Sequence, residues 1–89
     1  MQSKIITHLH KEGFLTFKLE AVGRAGFPDI YAIKNGKSLF IEVKAPNRKP
    51  TALQEYRLKE LKAKGASAHW VDNIAALYDI LKKEFAIFK

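Results

Sequence analysis

Apolar residues follow two rhythms along this chain. In FLTFKLE (14–20) they alternate, with Leu15, Phe17 and Leu19 on one side and Thr16, Lys18 and Glu20 on the other. That two-residue period predicts a half-buried strand with its apolar face inward. The runs PDIYAIK and KSLFIEVK are denser and are separated by Asn35-Gly36. Asn-Gly between apolar runs predicts a β-hairpin, because a type I′ turn needs positive φ at both central residues. Elsewhere the spacing is helical. SKIITHLHKEG (3–13) aligns Ile5, Ile6 and Leu9, with Ser3 to cap the helix and Gly13 to stop it. TALQEYRLKELKAKG (51–65) runs from Thr51 as cap to Gly65 and puts Gln54, Leu58 and Leu61 on one face. SAHWV (67–71) is a short strand, and a last helix begins near Asp72 or Asn73. AVGRAG and PNRKP are loops. The predicted order, α-β-β-β-α-β-α, implies an α/β fold with a mixed central sheet flanked by helices. No repeat or linker interrupts it, so residues 1–89 are expected to form one domain.

The hairpin fixes more than a turn. With Asn35 and Gly36 as the loop, Lys34 pairs with Lys37, and successive outward pairs bring Tyr31 against Phe40 and Ile30 against Ile41. One step further, Asp29 faces Glu42. Opposed residues share a face of the sheet, with Cβ atoms about 4.5–5.5 Å apart, and the period of two adds Lys44 to that face. Two opposed carboxylates repel unless something cationic lies between them. A divalent cation such as Mg²⁺ fits, since it takes oxygen ligands, often only one or two carboxylates, and keeps several waters. The Val43 carbonyl is a further candidate ligand. Lys44 is placed to hold a water or to steady charge on a phosphate, and a metal lowers the pKa of its bound water. The alternative is a solvated ion group at a strand end, with Lys44 as counter-ion.

Charge sharpens the choice. Sixteen Lys and Arg against nine Asp and Glu give a net charge of +7, which favours a polyanionic partner, most often nucleic acid. A chain of 89 residues buries only about 60–65% of its unfolded surface, so the core is small. No apolar stretch approaches the roughly 20 residues of a membrane span, and the N-terminal residues do not read as a signal peptide. The expected location is therefore cytoplasmic, with no membrane partner. Cysteine is absent, which removes disulfides and thiolate metal sites. No P-loop, dinucleotide fingerprint or GxSxG is present, so no nucleotide cofactor is expected. His8, His10 and His69 are scattered, and His8 and His10 do not face each other on a helix, which argues against zinc.

Pro28-Asp29 followed by Glu42-Val43-Lys44 resembles the signature of the PD-(D/E)XK nuclease superfamily, whose restriction-endonuclease-like core is αβββαβ. The stretch from Gly23 to Val71, with Gly-x-Pro-Asp, Glu-Val-Lys and a Gln in the next helix, is similar to the virus-type replication-repair nuclease (VRR-NUC) domain in its small stand-alone phage or bacterial form. The resemblance implies a Mg²⁺- or Mn²⁺-dependent endodeoxyribonuclease. Asp29 and Glu42 would bind metal, Lys44 would assist catalysis and Gln54 would support the site. It also implies a homodimer, a branched DNA substrate such as a four-way (Holliday) junction, and work in the cytoplasm of a bacterial or phage-infected host cell. One position departs from the pattern. The family commonly has a Glu in the first helix, where this chain has Gln2. Glu12 lies at the other end of that helix and Glu20 on the next strand, so either Gln2 substitutes through a water, or Glu20 contributes, or the second metal position is weak; one metal is the expectation.

Gln54 has two readings. It completes a Thr-x-x-Gln capping box with Thr51, and it faces the sheet where it can reach the site; one rotamer is not expected to do both. Arg24 before Pro28-Asp29, and Arg48 and Lys49 after Lys44, flank the metal and are candidate phosphate contacts. Tyr56 and Arg57 are weaker DNA-contact candidates, and Lys59, Lys62 and Lys64 read as a solvated helix face. Trp70 is expected in the core or an interface. Phe85, Ile87 and Phe88 either pack back on the sheet or form a dimer surface. Three rival functions remain: a DNA-binding module of the same fold that does not cut, a sequence-specific nuclease, and an interaction protein whose charge serves only solubility.

Overall fold

A computed structural model describes residues 1–19 and 25–88. Its elements are α1 (Gln2–Lys11), β1 (Leu15–Lys18), β2 (Ile30–Lys34), β3 (Lys37–Val43), α2 (Ala52–Ala63), β4 (Ser67–Val71) and α3 (Ile74–Phe85), in the order the sequence predicts. The helix starts are set by local chemistry. The Thr51 side chain accepts from the Gln54 N–H, and Asn73 accepts from the Ala76 N–H, each satisfying a donor the helix itself leaves orphaned. Helix α1 differs from expectation. It begins at Gln2 without a side-chain cap, and Ser3 lies inside it.

The sheet runs β1-β2-β3-β4, antiparallel except for the parallel β3–β4 pair. The hairpin has the predicted register from Lys34↔Lys37 out to Ile30↔Ile41. Its turn has Asn35 at φ 52° and Gly36 at φ 79°, the left-handed pair that a type I′ turn demands.

Strand alternation divides the sheet into two unlike faces. One carries Ile30, Ala32, Leu39, Ile41 and Val71 and packs on Ile5, Leu9, Leu77 and Leu81 of α1 and α3; all nine are no more than 1% exposed. The other carries Phe17, Tyr31, Phe40, Glu42, Ala68 and Trp70. Helix α2 lies over its β3–β4 half, anchored by buried Leu58. That leaves β1 uncovered. Leu15 and Phe17, expected to point inward, are 59% and 49% exposed. Their alternation is real, but the helices beside β1 cover the opposite face. Phe17 instead stacks on Tyr31, which tilts against Phe40, which meets Phe27 edge-on.

At the C-terminal end, Phe85 packs edge-on against Phe14, and Phe85 and Ile87 both lie against the core, while Phe88 is exposed. Two of these three aromatic or aliphatic residues thus pack back on the domain. Among the described residues, no helix is long and apolar enough to cross a membrane.

Candidate active site

The register that pairs Ile30 with Ile41 ends one step short of Asp29 and Glu42. Asp29 lies just outside the ladder, held on both sides. Its backbone carbonyl accepts from the Leu19 N–H at 2.7 Å, and its Oδ2 accepts from the Val43 N–H at 2.8 Å. Pro28 before it is fully buried, and the pyrrolidine ring fixes φ where the chain enters the site. The side chain of Asp29 therefore leans across the strand end toward β3, beside Glu42. Val43 meets this cluster through its N–H.

Glu42 is only 4% exposed, because α2 crosses over β3 at this point. Its Oε2 accepts from Gln54 Nε2 at 3.2 Å and lies 3.6 Å from Lys44 Nζ. Burial strips hydration from the carboxylate, and Asp29 adds a second negative charge. Together they push the Glu42 carboxyl up to about 7, against the opposing pull of Lys44. Lys44 reaches the site because the parallel pairing continues past Val43, with the Lys44 N–H donating to the Val71 carbonyl at 2.9 Å.

Gln54 resolves its two readings by doing both with one side chain. Its Oε1 accepts from the Thr51 N–H at 2.9 Å, closing the capping box, while its Nε2 donates to Glu42. The amide has an acceptor at one end and a donors' nitrogen at the other, and α2 begins where these two needs point in opposite directions.

One atom is left over. Glu42 Oε1 is buried and has no hydrogen-bond partner. A buried acceptor without a donor costs free energy, and this orphan oxygen lies beside a second carboxylate, an arrangement whose repulsion a cation would relieve. Among the described residues, no group of three His, Asp or Glu side chains converges. The set is therefore the Asp29–Glu42 pair, with Lys44 at its edge. Helix α1, which starts at Gln2, packs on the opposite face of the sheet, and Glu20 lies outside the described residues.

The outlying candidates are dispersed. Arg48 and Lys49 are exposed in the loop after Lys44. Tyr56 is 56% exposed, and Arg57 spreads its guanidinium over the Tyr56 ring while bonding elsewhere. Arg24 lies outside the described residues. Sequence reasoning missed one neighbour: Trp70 pairs with Glu42 across the parallel strands and shares its face. No local signal carries a parallel register, so this placement was hidden. Two clefts, one bordered by Lys37, Lys64 and Glu84 and the other by Lys4, His8 and Tyr78, are lined by residues outside the cluster. In the second, His8 is buried against the Tyr78 ring beside Glu12.

No family model matches the chain. Over 61 residues, 67% of the chain, it is 38% identical to a protein of Acyrthosiphon pisum secondary endosymbiont phage 1 named "Putative nuclease p44". That alignment spans 62% of the phage protein's length. In three dimensions the chain is similar to a solved structure described as "VRR_NUC domain", with a TM-score of 0.81, 26% identity, and coverage of 93% of this chain and 91% of that one.

Proposed function

Because this chain belongs with the VRR-NUC nuclease domains, we propose that it is a metal-dependent DNA endonuclease whose centre is Asp29, Glu42 and Lys44. The observation that carries this reading is the orphaned, buried Glu42 Oε1 beside Asp29. Asp29 and Glu42 would hold one Mg²⁺ or Mn²⁺, with the Val43 carbonyl as a further candidate oxygen. Bound there, the cation supplies Lewis acidity toward the phosphate and lowers the pKa of a coordinated water.

The rest of the work falls to the chain. Lys44 Nζ, already within 3.6 Å of Glu42, orients the attacking water and steadies negative charge on the pentavalent phosphorus. Gln54 keeps Glu42 turned so that Oε2 is occupied and Oε1 would be left to a cation. Arg24, Arg48, Lys49 and Tyr56 grip the DNA backbone on either side, contacts that position without specifying sequence. The protein would work in the cytoplasm of a bacterial or phage-infected cell.

The preferred substrate is branched DNA such as a four-way junction, cut by a homodimer. A twofold-symmetric four-way junction has four strands related in pairs, and a twofold pair of chains presents two equivalent centres. The meeting surface is the uncovered β1 face. Leu15 and Phe17 are apolar and exposed on an edge strand, and a free edge pairs readily with another copy of itself. Two chains of charge +7 approach best where the surface is uncharged.

The second reading is a module that binds DNA without cutting it, and it draws on the absence, among the described residues, of a third converging His, Asp or Glu. The test is cleavage of an end-labelled four-way junction with Mg²⁺ or Mn²⁺, beside linear duplex and the Lys44→Ala variant. Metal-dependent cutting of the junction, lost in the variant by at least about a hundredfold, supports the nuclease. Junction binding with no cutting in any metal supports the module.

A further inference from the structure

Arg57 is one of the residues a sequence reading would give to DNA, yet two of its donors are engaged inside the domain. Nε donates to the Ala25 carbonyl at 3.0 Å, 32 residues away in sequence, and Nη1 donates to Glu60 Oε1 at 3.1 Å. The side chain is only 15% exposed. Ala25 begins the short segment that leads through Gly26, Phe27 and Pro28 to Asp29.

A second contact ties the same segment to the same helix. Gly26 sits at φ 78°, and a Cβ there would lie 2.7 Å from Leu53 Cγ and 3.2 Å from the Leu53 backbone carbon. The loop backbone is thus pressed against the first turn of α2, at a distance only glycine permits. Leu53 touches the loop, Gln54 touches Glu42, and Arg57 holds the Ala25 carbonyl. Three residues within two turns of one helix reach both strands of the site, one carboxylate through the loop and the other directly.

We propose that Arg57 is a positioning residue for the metal site, acting with Gly26 to lock the Asp29 loop onto α2. It sets the spacing of Asp29 from Glu42 rather than gripping a phosphate. This inference rests on the proposed metal site. Outer partners that orient ligands typically affect metal affinity by about 10–100-fold. Arginine suits the task, because its planar fork serves a carbonyl and a carboxylate at once, a geometry lysine does not reproduce.

The experiment is Mn²⁺ titration followed by the fluorescence of Trp70, the single tryptophan and the cross-strand neighbour of Glu42. It is run on wild type, Asp29→Ala, Arg57→Ala, Arg57→Lys and Gly26→Ala, each first checked by thermal melting. In parallel, junction affinity is measured without divalent metal across a salt series. Positioning predicts Mn²⁺ affinity weakened by about tenfold in all three clamp variants, with junction affinity and its salt slope unchanged. Gly26→Ala is the cleanest case, since it alters no charge. A phosphate contact predicts the reverse for Arg57→Ala: Mn²⁺ affinity intact, junction affinity reduced, salt slope smaller by about one, and lysine restoring both. That pattern overturns the proposal, as does wild-type Mn²⁺ affinity in Gly26→Ala. If wild type and Asp29→Ala alike bind no Mn²⁺, the metal-site reading itself fails and takes this inference with it.

Discussion

The two faces of the sheet are built from the same four strands and serve opposite ends. Under α1 and α3, Ile30, Ala32, Leu39 and Ile41 lie sealed against two helices with no polar atom among their side chains. Under α2 the same strands carry Asp29, Glu42 and, beyond them, a row of rings open to solvent at Phe17. Fully buried apolar side chains are concentrated on the first face, and the second is where like charges can be held together at a cost. A domain this small has few apolar layers to draw on. It can hold a repulsive pair because the reverse side of β2 and β3, at Ile30, Ala32, Leu39 and Ile41, is fully packed.

Three substitutions test that division, in falling order of effect. On the sealed face, Leu39→Ala removes a fully buried side chain and should cost about 3 kcal/mol, lowering the melting temperature by roughly 15 °C in calorimetry. A loss under 1 kcal/mol would mean the face is not the main store of stability.

On the site face, Glu42→Gln should abolish metal-dependent cutting yet raise stability at pH 8 without metal. The sign follows from linkage. The folded state holds the Glu42 proton up to about pH 7, against 4.5 for the ordinary carboxyl. Its raised folded pKa favours folding most below pH 4.5, and this contribution is lost as pH rises to 7. Above pH 7 the buried charge is fully formed and most costly. The gain from Glu42→Gln should therefore appear in melts at pH 8 and vanish near pH 4. Mn²⁺ affinity in wild type should fall as pH drops through 7, because the proton competes for the same oxygen. A stability gain independent of pH would detach the effect from this carboxyl.

The smallest effect belongs to the open end of that face. Phe17→Ser should change the melting temperature of the separated chain by only a few degrees, since Phe17 is already half exposed. Sedimentation should show its weight in the change from dimer to monomer. If the wild type sediments as a monomer at all concentrations, β1 is not a meeting surface.

What could be read from the sequence depended on how far apart the interacting residues lie. The Asn35-Gly36 turn fixes its own geometry, and strand pairing carries that certainty outward residue by residue until it reaches Asp29 and Glu42. The capping box of Thr51 and Gln54 is equally local. Residues 15 and 17 show the limit of periodicity, which tells which side chains share a face but not whether a helix will cover it. Trp70 beside Glu42 and Arg57 on Ala25 depend on a parallel pairing and a contact across 32 residues, neither of which leaves a mark in the intervening sequence. Gln54 carries both its roles at once because the two ends of its amide face different partners.

That amide also makes two equilibria into one. Gln54 cannot turn its nitrogen away from Glu42 without withdrawing its oxygen from the Thr51 N–H. The winding of the first turn of α2 and the aim of the carboxylate are therefore mechanically joined, like the two arms of a rocker. Whatever steadies the carboxylate winds the helix, and whatever frays the helix lets the carboxylate swing free. Order at the Glu42 carboxylate and order at the helix start are thereby coupled, read at opposite ends of one side chain.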